Sequence, residues 1–120
     1  MVVRGDTFFG GASLHGKDHL WVIINDPEEH EGKALIVNVS TLREGAETTC
    51  VLRKSEYPAI NHASYVRYRS ARTARTMDLE EAIRNGLLRR GQPVSPALLA
   101  KLTAGARAST LLPGEMLALL

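Results

Sequence analysis

Cysteine is nearly absent from this sequence: among 120 residues there is one, Cys50. A lone thiol has no internal partner for a disulfide, and it excludes a metal site built on two cysteines. A chain without disulfides is expected in a reducing cytoplasm. No apolar run approaches the roughly 18 residues needed to span a bilayer, so no membrane association is expected. The opening stretch, Met1 to Asp6, contains no apolar segment of signal-peptide length. Absent as well are a Gly-x-Ser-x-Gly elbow, a phosphate-binding loop ending in Gly-Lys-Ser/Thr and a dinucleotide glycine fingerprint. Nothing in the sequence therefore implies a cofactor.

Apolar residues make up 44% of the chain and charged residues 23%. That composition supports one core, and we expect a single domain over residues 1–120. The net charge of +2 hides an asymmetry. Residues 1–50 carry a net −4 and residues 51–120 a net +6. Such a split suits an anionic partner on one face.

The first two thirds of the chain have strand character. Asp6 to Phe9 is short and β-prone, and is closed by Gly10-Gly11. His19 to Asn25 and Ala34 to Val39 are near-continuous apolar runs rich in β-branched residues, the pattern of central strands. Thr49 to Leu52 is a shorter candidate. Ser64 to Tyr68 alternates, which predicts one buried and one exposed face. Arg72 to Met77 is a further, weaker candidate. The period then changes. Asp78 with Glu81 forms a possible capping box, and Gly86 a stop. Ser95-Pro96 starts a second helix with Leu98, Leu99, Leu102 and Ala106 on one face. The apolar tail Met116 to Leu120 should pack on the barrel or on a second subunit. Strands first and helices last predict a mainly-β or α+β fold, a small half-open barrel of five to seven strands with a C-terminal helix or helices.

Four histidines carry the possible acid–base chemistry. His15, Lys17, Asp18 and His19 cluster in a Gly-rich stretch, where a metal site lacks a third ligand close in sequence. His30 sits in an acidic turn. His62 directly precedes the alternating strand, where it serves either a turn or a site. Cys50 lies in an apolar run and has the character of inert core. Arg67, Arg69, Arg72 and Arg75 form a basic stretch with no acid before Asp78. On a regular strand Tyr65, Arg67 and Arg69 share a face, a combination suited to phosphates and stacked bases.

In order and spacing these segments resemble the MazF/PemK-like toxins of bacterial toxin–antitoxin pairs. The resemblance runs from Gly5-Asp6 through Trp21 to Asn25 and Leu35 to Thr41. It continues with Ser64 to Tyr68, Arg75 to Asp78 and the closing Val94 to Ala108. It implies an SH3-like barrel that dimerises, takes no metal or other cofactor, and cuts single-stranded RNA by attack of a ribose 2′-OH on the adjacent phosphate. It also implies a cognate antitoxin as partner. Such toxins place an arginine in the first loop and a Ser or Thr after the third strand at the phosphate. Ser40 and Thr41 match the second position, Thr41 more closely. Residues 10–18 contain no arginine, so Lys17, His15 or His19 would serve instead. In that scheme His19 or His15 transfers protons, Lys17 contacts the phosphate, Thr41 orients it, and His62 is a second proton-transfer group. Ser40, Tyr65, Arg67, Arg69, Arg72 and Arg75 would bind RNA. Two other readings fit the same segments: a non-catalytic module that binds nucleic acid or protein, and a gyrase-poisoning toxin of the same fold.

Overall fold

A computed structural model describes residues 1–10 and 19–120 of the chain. The described residues form six strands and two α-helices: β1 (Thr7–Gly10), β2 (His19–Ile23), β3 (Lys33–Thr41), β4 (Val51–Leu52), β5 (Ser64–Arg75), α1 (Thr76–Arg84), β6 (Leu88–Arg90) and α2 (Pro96–Ala108). The strands make one antiparallel sheet in the order β4-β5-β3-β2-β1-β6. This is the α+β class, with the strand number, that the sequence led us to expect.

The middle of β2 and of β3 is apolar on both sides, Asn38 apart, because both faces of the sheet are covered. Side chains alternate between faces, and two separate cores result. Leu20, Val22, Leu35, Val37, Val39, Val66 and Tyr68 pack with Leu98, Leu102 and Ala106 of α2. On the other face Phe8, Trp21, Ile23, Ala34 and Ile36 pack with Leu79 of α1. The tail, a 3₁₀ turn over Gly114–Leu119, places Met116, Leu119 and Leu120 against the first core.

Two local expectations need correction, and one strand was not foreseen. Arg72 to Met77 is not a separate strand: β5 runs unbroken from Ser64 to Arg75. It carries a large bulge, because Ile36 faces Arg72 while Asn38 faces Arg67. Two steps along β3 thus match five along β5, which bends the strand and breaks its alternation. Asp78 is not the N-cap of α1. That position is Arg75, and Asp78 lies in the first turn, where its charge still favours the positive helix end. The short edge strand β6 has no forerunner in the sequence pattern. Ser95 does cap α2 as expected, accepting from the Leu98 amide at 3.1 Å, with Pro96 at the first position.

The contact of α2 with the sheet depends on a glycine. The Tyr68 hydroxyl donates to the Leu102 carbonyl at 2.7 Å, and a Cβ on Gly105 would sit 2.2 Å from that hydroxyl and 3.0 Å from Cβ of Cys50. Both neighbours are buried. Gly105→Ala gains helix propensity but overpacks this seam, at a cost of about 1–3 kcal/mol. The expected outcome is a lower midpoint in urea unfolding with unchanged slope; a variant as stable as the native protein would contradict the packing described.

Candidate active site

β3 is apolar from Ala34 to Val39 but for Asn38, and then changes character at Ser40-Thr41. The two residues lie at the strand's end, opposite Tyr65 and Ser64 of β5. The main chain that follows stays attached, since the Leu42 amide donates to the Ala63 carbonyl at 3.0 Å. This pairing brings the segment 57–63 alongside Thr41. That segment is pinned from beneath: the Tyr57 hydroxyl donates to the Gln92 carbonyl at 2.6 Å and lies 3.0 Å from the Thr7 hydroxyl. Ile60 is buried in the core, and the Ser64 hydroxyl donates to the His62 carbonyl at 3.0 Å.

The consequence is a hollow of about 170 Å³ between the sheet and the turn. Phe9, Leu20 and Val39 form its apolar side, and Thr41, Asn61 and His62 its polar one. His62 Nε2 lies 2.8 Å from Thr41 Oγ1, with both side chains exposed. A hydroxyl bonded to an imidazole on a surface open to ligand can orient a phosphoryl oxygen and move a proton beside it. Ser40 also lines this hollow, and its hydroxyl donates to Asn38 Oδ1 at 2.9 Å.

The other expected residues are divided. His15 and Lys17 lie outside the described residues. His19 opens β2 opposite Gly10. Its ring meets Trp21 edge-to-face with centroids 6.4 Å apart, whereas Leu20 faces the hollow. Strand alternation therefore directs His19 to the other side of the sheet. We correct the expectation that His19 shares a proton-transfer site with Thr41.

The arginine stretch is also divided, by the bulge in β5. Arg67 and Arg69, with buried Tyr65, line a second hollow. Arg72 lies over Trp21, 5.5 Å from the ring centroid, and Arg75 lines a third hollow with His30 and Lys33. Those four arginines do not form one surface. Asn61, Arg43 and Glu47 line the first two hollows with no pattern in the sequence to mark them.

Among the described residues no group of three or more His, Cys, Asp or Glu could hold a metal ion, and no helix is long and apolar enough to cross a membrane. Cys50 is buried beside Tyr68. Burial pushes its thiol pKa upward, against the smaller opposing effects of the Tyr68 hydroxyl and Lys101. The Tyr68 hydroxyl is likewise pushed up, chiefly by burial. Cys50 is thus a thiol with neither the access nor the ionisation of a nucleophile. Native protein should leave Cys50 unlabelled by a thiol reagent at neutral pH, with full labelling after denaturation; rapid labelling of the folded chain would contradict this placement.

No family model matches the chain, and no curated protein matches it in sequence. Among solved structures, an endoribonuclease in complex with its cognate antitoxin from a Mycobacterial species is similar, with a TM-score of 0.57 and 18% identity. The match covers 94% of this chain and 98% of that one. At that identity the likeness is one of fold, and it agrees with the resemblance drawn from the order of segments. Over nearly its whole length, the chain has the fold of that endoribonuclease.

Proposed function

We propose that the protein is a MazF/PemK-like toxin: an endoribonuclease that cuts single-stranded RNA and is restrained by a cognate antitoxin. The observation that carries this reading is the Thr41–His62 pair in an open hollow at the end of β3. The likeness to an endoribonuclease–antitoxin complex supports it.

The reaction is a transesterification. His62 Nε2 takes the proton from a ribose 2′-OH as that oxygen attacks the adjacent phosphorus. The bond to the departing 5′ oxygen breaks, and that oxygen takes a proton from water. The products are a 2′,3′-cyclic phosphate and a 5′-hydroxyl. Imidazole suits this task at neutral pH. When RNA binds, the Thr41 hydroxyl turns its one proton from His62 Nε2 to a non-bridging phosphate oxygen, which frees Nε2 as the base and holds the phosphorus beside it. Ser40 supports the end of the strand. Lys17 and His15, which lie in the sequence between Gly10 and His19, are proposed as the further cation and proton-transfer group. Those two flanking residues are paired in the sheet. His19 is left out of the proton transfer.

Single-stranded RNA approaches along the basic half of the chain, where Arg67 and Arg69, beside Tyr65, offer cationic contacts to phosphates and a stacking surface to a base; Arg72, over Trp21, and Arg75, at the far end of β5, lie apart. An antitoxin of this kind offers an acidic segment that orders on binding, and the same arginines are its proposed landing site. We propose a cytoplasmic homodimer that uses no metal.

His62→Ala and Thr41→Val should each leave the fold intact, because both side chains are exposed. Loss of the proton-transfer group should lower the rate of RNA cleavage by about 10²–10⁴-fold, and Thr41→Val should lower it less. Cleavage by the native chain should persist in excess chelator and yield cyclic phosphate ends. Undiminished cleavage by the His62 variant would overturn the mechanism. RNA binding without any cleavage would favour a non-catalytic module.

A further inference from the structure

Among the described residues, those that line the Thr41–His62 hollow include no lysine or arginine. A hollow that takes a polyanionic strand needs a cation close by, and strand register locates one. Residues directly opposite each other in neighbouring antiparallel strands project to the same face. Arg89 of β6 faces Phe9 of β1, Phe9 faces Leu20 of β2, and Leu20 faces Val39 of β3. Phe9, Leu20 and Val39 all line the hollow. Arg89 thus stands at the end of that row, on the face of the hollow, and it is exposed.

The side chain is held in place. The Arg89 guanidinium carbon lies 4.7 Å from the centroid of the Phe9 ring. Stacking of this kind uses one face of the guanidinium plane and leaves the N–H donors at its rim to other partners. Phe9 is itself half-buried against the first core. β6 is tied to it closely: the Gly91 amide donates to the Thr7 carbonyl at 3.0 Å, and a Cβ on Gly91 would sit 2.8 Å from Phe9 Cε2. The neighbouring Arg90 belongs to the opposite face, with Phe8, and there it pairs with Asp6 and donates to the Met1 carbonyl. The three ion pairs among the described residues do not include Arg89.

We propose that Arg89 binds a backbone phosphate of single-stranded RNA other than the one that is cleaved. The proposal rests on the ribonuclease reading above, which makes RNA the ligand. β6 stands three inter-strand spacings from β3, roughly 14 Å, and Thr41 lies two residues past Val39, roughly 7 Å along the strand. One phosphate cannot touch both groups at that separation, whereas one extended strand can. The guanidinium fork meets two phosphate oxygens at one end, and the Thr41 hydroxyl meets the scissile phosphate at the other. The row of Phe9, Leu20 and Val39 lies between and gives the intervening nucleotide an uncharged floor. Arg89 fixes where the strand lies and takes no part in proton transfer.

The test uses the full chain and short oligomers with one ribonucleotide in a 2′-fluoro chain, so that a single 2′-OH fixes the register of the cut. A methylphosphonate, which removes the charge of one phosphate, is placed at each other position in turn. With the native chain, one position away from the cut should lower kcat/KM by about five-fold or more, the range of a charge-assisted hydrogen bond. Arg89→Gln, with its fold checked by circular dichroism, should lower kcat/KM on the unmodified oligomer by the same factor and be indifferent to the methylphosphonate at that position. Arg89→Lys, which keeps the charge, should retain part of the sensitivity. A native chain indifferent to every position, or a Gln variant as sensitive as the native chain, overturns the contact. Binding to an all-2′-fluoro oligomer, followed by fluorescence anisotropy, tests it without cleavage. Arg89→Gln should reduce the salt slope of binding by about 0.7, the share of one phosphate on a single strand, and an unchanged slope overturns the contact. Cleavage by the native chain with no position that depends on Arg89 removes this site and leaves the ribonuclease standing, whereas neither cleavage nor binding of RNA removes both.

Discussion

Burial of β3 on both faces is the constraint on which the rest of the structure depends. With β2 to one side and β5 to the other, its side chains enter two different cores in alternation. Neither α1 nor α2 is dispensable to that arrangement, because each covers the face the other leaves bare. A strand so enclosed meets ligand only where it leaves the sheet. That is where its sequence changes from Val39 to Ser40-Thr41, and where the turn carrying His62 closes over it.

β5 carries the second consequence. It must complete the first core through Val66 and Tyr68, yet also run the length of β3. The bulge resolves the two demands by inserting extra residues and bending the strand. In doing so it separates Arg67 and Arg69 from Arg72 and Arg75. The first pair lines the second hollow, while Arg72 covers Trp21 and Arg75 reaches a different hollow. A run of arginines that is continuous in the chain is therefore spread over three places in space. The proposed RNA path follows the first of them, beside Thr41 and His62.

Much of the fold was legible in advance. Continuous apolar runs identified β2 and β3, alternation placed Val66 and Tyr68 of β5 in the core but wrongly left Tyr65 exposed, and Ser95-Pro96 marked the start of α2. These signals are local: they depend on period and on the chemistry of a few neighbouring residues. Ser40, Thr41 and His62 were singled out too, but their meeting was not readable from residues 21 apart. Glu47 carried no signal at all, because the burial of its oxygen, without a partner among the described residues, is a property of the loop's final position. The His19 expectation shows the opposite error. Closeness in sequence to a site does not choose the face of a strand, and a single step of alternation moved its ring to the Trp21 side.

What the sequence by itself determined is most of the elements, β2, β3 and α2 above all, since hydrophobic period, capping residues and turn formers act over a few residues and need no partner. It also determined the excess of cationic groups in the second half. Only the tertiary structure decided which polar side chains share a hollow, because that depends on strand register and on a bulge whose size is set by packing against distant residues. The pairing of Thr41 with His62, and the hollow that Arg67 and Arg69 share with Tyr65, come from there.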